Sequence, residues 1–223
     1  MGLFGDVFLI AALAVTAVVS AALLYRYRAD LGIGAPGAVC LALAHTALGV
    51  ICVKVFAGLE SFSDPRSAGM SLFGALFFLP VFYALGAKSS RRNLKLVFDD
   101  LSLCVMTALM CVRVNCIISG CCLGCMIAET GMRWPTREVE IAFWAILLIV
   151  SVLKKERGYC KGSLYPFMLM VYGVFRFVIE FLREGTPIFG PFHIAHIWAI
   201  VSFLIGSAIF FILIEQEGMK HRR

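Results

Sequence analysis

Tyr172, Arg176 and Glu180 stand four residues apart in an otherwise apolar stretch, so on a helix they share one face. A charged side chain in such surroundings is costly, and by default it is a functional group or half of a buried pair. A second arginine, Arg113, interrupts another apolar stretch. A guanidinium is a planar fork that donates two parallel charge-assisted hydrogen bonds, a geometry suited to phosphate. The chemistry these residues can do is therefore anion binding. A second reading neutralises each cation within the protein, with Glu180 for Arg176 and Glu140 for Arg113. The residue types fit both.

The cysteines form another constellation. Four of the nine crowd into Cys116-x4-Cys121-Cys122-x2-Cys125. Thiolates bind zinc or clusters, and Cys122-x2-Cys125 has the spacing of half a metal site. An outward location would instead permit a disulfide. Against metal, no second cysteine pair or nearby histidine completes a ligand set, and cysteine is also a small residue that lets helices approach closely. His193 and His196, near the start of the last apolar stretch, are candidate proton acceptors or helix caps.

The elements that position these residues follow from composition. The chain of 223 residues is 61% hydrophobic and 15% charged, against about 45–50% and 25% in soluble domains. Disorder, collagen-like fibre and a small disulfide scaffold are excluded. Seven windows are long and apolar enough to suggest membrane crossing: Val7–Tyr25, Pro36–Ala57, Ala68–Ala87, Leu101–Ile118, Val139–Leu153, Ser163–Leu182 and His193–Ile214. The expected fold is an all-α integral membrane protein, a bundle of about seven transmembrane helices forming a single polytopic domain over residues 1–223.

The formal charge of +6 does not indicate a nucleic-acid partner, because thirteen of the 20 Lys and Arg collect in alternate connections, around 26–28, 88–95, 154–161 and 220–223. The positive-inside rule then predicts an outward N-terminus and a cytoplasmic C-terminus. No Lys or Arg precedes the first apolar stretch, which favours a retained helix over a cleaved signal peptide. At a rise of ~1.5 Å per residue, Arg113 lies roughly 18 Å beyond Leu101 and Arg176 roughly 20 Å beyond Ser163. Both guanidiniums then fall at similar depth in the outer half of the bilayer, and something anionic is expected between or beside them.

Several segments together resemble the prolipoprotein diacylglyceryl transferase family. They are Gly69-Met70-Ser71-Leu72-Phe73-Gly74, Phe98-Asp99-Asp100, the run from Arg113 through Asn115, Cys116, Cys121 and Cys122 to Gly124, and Tyr172-Gly173-Val174-Phe175-Arg176-Phe177-Val178-Ile179-Glu180-Phe181-Leu182-Arg183-Glu184. The Pro135–Glu140 segment adds a weaker match, with Glu140 on the family's acidic position. The resemblance implies a multi-pass enzyme of the bacterial inner membrane with its site facing the outer leaflet. It would transfer the diacylglyceryl group of phosphatidylglycerol to the lipobox cysteine thiol of an exported prolipoprotein, with no metal or organic cofactor. Carried over by position, Arg113, Arg176 and Tyr172 would be catalytic; separately, His196 or His193, by their height at the outer start of the last stretch, or Glu180 would take the thiol proton. Arg113, Arg176, Glu180, Gly124, Ser71 and Cys116 would bind substrate.

The departures are specific. Phe73 stands where the family has a histidine, and Cys116 replaces the motif asparagine. Gly120-Cys121-Cys122 suggests a divergent branch, and the short outward connections leave little room for the family's periplasmic head. Two alternatives to the transferase follow. One is a paralogue that lipidates another acceptor or only binds phospholipid. The other is a membrane thiol-redox protein using Cys116, Cys121, Cys122 and Cys125.

Overall fold

The computed structural model describes residues 3–60, 70–129, 131–159, 161–185 and 188–221, with the side chains of 3–6, 220 and 221 left aside. Eight helices account for most of them: α1 (Leu3–Arg26), α2 (Arg28–Leu31), α3 (Ala35–Glu60), α4 (Phe73–Ser89), α5 (Leu94–Ser119), α6 (Thr136–Glu156), α7 (Leu164–Glu180) and α8 (Ile194–His221). Among the described residues there is no strand, only isolated bridges such as that between Gly124 and Arg183. Among the described residues four helices, α1, α3, α5 and α8, are long and apolar enough to cross a membrane.

The helices differ from the apolar windows mainly at their ends. α5 starts at Leu94, well before Leu101, because Asn93 accepts a hydrogen bond from the Lys95 N–H and caps it. α6 runs through Lys154 and Lys155, charges that hydropathy reads as a boundary. The third window begins at Ala68, which lies outside the described residues with Gly69, but α4 begins only at Phe73. Ser71 lies before it, its N–H bonded to Val53 O, about two turns before the end of α3.

α5 is the central element. Two-thirds of its apolar window is buried (67%), against 17% for α1 and for α8, and it packs against α1, α3, α4, α6 and α7. α7 lies most closely on α8. Gly173 permits that approach, since a Cβ there would sit 2.7 Å from both Ala199 O and Phe203 N.

The basic connections meet at one end of the bundle. Arg26 pairs with Glu156 at 2.5 Å, Arg92 donates to Gly32 O at 2.9 Å, and Lys155 bridges Asp30 at 2.9 Å and Asp100 at 2.7 Å. Asp99 accepts from the N–H groups of Gly162 and Leu164, at 2.6 and 3.0 Å, and so closes the first turn of α7. The Phe98-Asp99-Asp100 segment thus ties α5 to α6 and α7 at the end remote from Arg113, some 14 residues or roughly 21 Å along the helix.

Candidate active site

At the other end, where α5 and α7 finish and α6 begins, six ionisable side chains converge. Glu140, buried in the first turns of α6, is the hub. The Arg113 Nε lies against its Oε2, while Arg176 and Arg183 donate to Oε1 at 2.9 and 2.8 Å. Glu180 takes the other side of Arg176 at 2.6 Å, lies 3.7 Å from the Arg183 Nε, and meets the His193 Nδ1 at 3.2 Å. Arg113, Arg176, Glu140 and Glu180 are each less than a tenth exposed. Three guanidiniums therefore share two carboxylates in a dry site, leaving one formal positive charge uncompensated among them. A buried charge in that condition draws in an anion or costs several kcal/mol.

Both pairings expected from the sequence are present, Arg113 with Glu140 and Arg176 with Glu180, and Glu140 also joins the two arginines. Arg183 lies just beyond the Ser163–Leu182 window, yet it belongs to the cluster. Backbone pairing turns it inward: the Cys125 N–H donates to Leu182 O at 2.9 Å and the Glu184 N–H to Leu123 O at 3.1 Å. Gly124 lies in this ladder because a Cβ there would meet Trp134 O at 2.2 Å. The available signal was the position of Arg183, three residues after Glu180.

Tyr172 is fully buried beside these charges. Its ring packs on Trp144 at 4.7 Å between centroids and on Phe73 at 6.0 Å, and its hydroxyl has no hydrogen-bond partner among the described residues. The two histidines separate. His193 touches Glu180, whereas the buried His196 accepts from the His193 N–H at 2.9 Å through Nδ1 and is surrounded by Phe177, Phe181 and Phe192. Ser71 stays at the α3–α4 junction, outside the ion-pair cluster.

Cys116 lies in the last turn of α5, three residues after Arg113, and its carbonyl accepts from Arg137 at 3.3 Å. Its sulfur gathers with those of Cys121 and Cys122, but Cys125 is not part of the group. The Cys122-x2-Cys125 spacing thus makes no pair in the structure, because Cys125 is drawn into the ladder with Leu182. All eight described cysteines are free thiols. A hydrogen bond from Cys116, and then the charges of Arg113 and Arg183, hold the Cys122 thiol below its ordinary pKa despite its burial. A separate apolar pocket opens between α1, α3, α4 and α5, lined by Leu13, Val53, Leu79, Val105 and Leu109 among others.

Comparison with known proteins identifies relatives of this chain. The prolipoprotein diacylglyceryl transferase family model matches residues 6–212. A phosphatidylglycerol--prolipoprotein diacylglyceryl transferase of Dehalococcoides mccartyi is 23% identical over 167 residues, 68% of this chain and 64% of that protein. The enzyme of the same name from Polaromonas naphthalenivorans is 30% identical over 136 residues, 55% of this chain and 50% of the relative. One from Streptococcus uberis is 27% identical over 99 residues, covering 43% and 38%. The matched stretches thus take in less than two-thirds of these relatives' length. With the family match running through nearly the whole sequence and the buried arginines at its centre, the chain belongs to the prolipoprotein diacylglyceryl transferase family.

Proposed function

We propose that this protein transfers the diacylglyceryl group of phosphatidylglycerol to the lipobox cysteine thiol of a prolipoprotein signal peptide. The observation that carries the reading is the surplus positive charge of Arg113, Arg176 and Arg183 over Glu140 and Glu180. A lipid phosphate supplies the missing anion. The setting is the bacterial inner membrane, crossed by seven helices of one domain, with the N-terminus outside and the C-terminus in the cytoplasm. The gathering of the basic connections at one bundle end supports that orientation. The ion-pair cluster then faces the outer leaflet, and the apolar pocket between α1, α3, α4 and α5 holds a lipid chain.

In the reaction the acceptor thiolate attacks the terminal glyceryl carbon of the diacylglyceryl group. A C–S bond forms, the C–O bond to phosphate breaks, and glycerol phosphate leaves with the bonding electrons. Negative charge grows on the departing phosphate, and Arg113 and Arg176 are preorganised to stabilise it, with Arg183 alongside. Glu140 and Glu180 hold the three forks in place. The unpartnered Tyr172 hydroxyl donates to a phosphate or glyceryl oxygen. His193, oriented by Glu180, takes the thiol proton. His196 is the weaker candidate because Nδ1 is occupied and phenyl rings enclose it. Gly124 shapes the loop that delivers Arg183, and Cys116 and Ser71 serve at the margins of the lipid site.

A second reading, phospholipid binding without transfer, is favoured by Phe73 packed on Tyr172 where the family resemblance places a histidine. Purified protein incubated with glycerol-labelled phosphatidylglycerol and a lipobox peptide separates the two. Transfer gives a thioether-linked diacylglyceryl peptide; retained lipid with no modified peptide supports the second reading and refutes the first.

A further inference from the structure

The thiols of Cys116, Cys121 and Cys122 lie outside the ion-pair scheme above, and the transfer reaction uses none of them as a nucleophile. Their three sulfurs are all within 4.8 Å of one another. Tetrahedral zinc at a Zn–S distance of about 2.3 Å separates its sulfurs by about 3.8 Å, so closure requires movement of about an ångström or less. We propose that Cys116, Cys121 and Cys122 form a three-thiolate binding site for a soft divalent cation of the zinc class.

Local backbone holds the trio together without the ion. Cys116 closes the last turn of α5, and the Cys121 N–H donates back to Cys116 O at 3.2 Å. Arg137 spans the carbonyls of Cys116 and Cys121 at 3.3 and 3.5 Å, fixing the turn between them. Cys122 is held at φ 58°, a left-handed conformation that a residue with a Cβ adopts rarely. In that conformation its side chain joins the other two sulfurs. Strain of this kind persists where surrounding structure enforces it, and it is often found at ligand sites.

Charge also matches. A divalent cation with three thiolates carries a net charge of −1, and the Arg137 guanidinium stands beside it on the carbonyls of Cys116 and Cys121. Access is open: Cys121 is exposed and Cys122 half-buried, so an ion reaches the site without opening the core. Three protein donors leave one tetrahedral position for a further ligand.

Reduced full-length protein, stripped of metal and reductant in detergent, is titrated with cadmium(II) alone, with neither lipid nor peptide present. The outcome therefore stands apart from that of the transfer assay. The expected result is a near-ultraviolet sulfur-to-cadmium absorption that saturates at one ion per chain, with three thiols withdrawn from maleimide. Cys121→Ser and Cys122→Ser abolish the saturable band while retaining the wild-type melting transition, and Cys40→Ser on α3 keeps the band. Cys121 is exposed, so its serine variant folds. Absence of a stoichiometric band in the wild type, or its persistence in Cys121→Ser and Cys122→Ser, overturns the proposal.

Discussion

At the scale of single residues, the account rests on charges placed where charges are expensive. Arg113, Arg176 and Glu180 were legible because each interrupts an apolar stretch, and Glu140 because it begins one. Arg183 was legible as part of the family-like run but not as a buried charge: an arginine in a connection is ordinarily solvated, and the ladder between 123–125 and 182–184 turns it onto Glu140. Glu140→Gln leaves three guanidiniums with one carboxylate, and breaking buried pairs of this kind costs about 3–5 kcal/mol. The expected result is a clear fall in melting temperature together with loss of transfer. Tyr172→Phe should behave differently. Its hydroxyl has no hydrogen-bond partner among the described residues, so the melting temperature is retained while transfer falls by about 10–100-fold, the size of a hydrogen bond to a charged group. Equal losses of stability and rate would contradict that role.

Among elements, the helices were readable as apolar windows but their limits were not. Hydropathy stops at Asp99, Asp100 and Lys155, whereas these side chains satisfy each other or cap α7 and so extend the helices past the apolar region. The cysteine-rich connection was legible in content but not in shape, since backbone pairing, which spacing does not reveal, removes Cys125 from the trio. Asp99→Ala removes a cap from α7 and should cost about 0.5–2 kcal/mol in thermal unfolding. Because it acts at the far end of the bundle, the transfer rate of the folded fraction should be unchanged. Gly173→Ala forces α8 away from α7, where backbone atoms stand 2.7 Å from the new methyl. Overpacking of this kind costs about 1–3 kcal/mol, and a melting temperature equal to wild type would show that the helices are less tightly apposed.

For the whole molecule, one polarity organises the bundle: lysines and arginines at the connections of one end, and a buried arginine cluster near the other. In a cysteine-free background, a cysteine at Lys161 should react with an impermeant maleimide only after cell permeabilisation, and one at Met132 without it. The opposite pattern would reverse the orientation and move the cluster to the cytoplasmic leaflet. The central claim is that the surplus charge of the cluster receives a lipid phosphate, and equilibrium binding of labelled phosphatidylglycerol to the purified protein measures it most directly. The account predicts saturable binding, competed by glycerol phosphate and weakened on the order of 10–100-fold by Arg113→Ala or Arg176→Ala; variants that bind the lipid as tightly as wild type would contradict it.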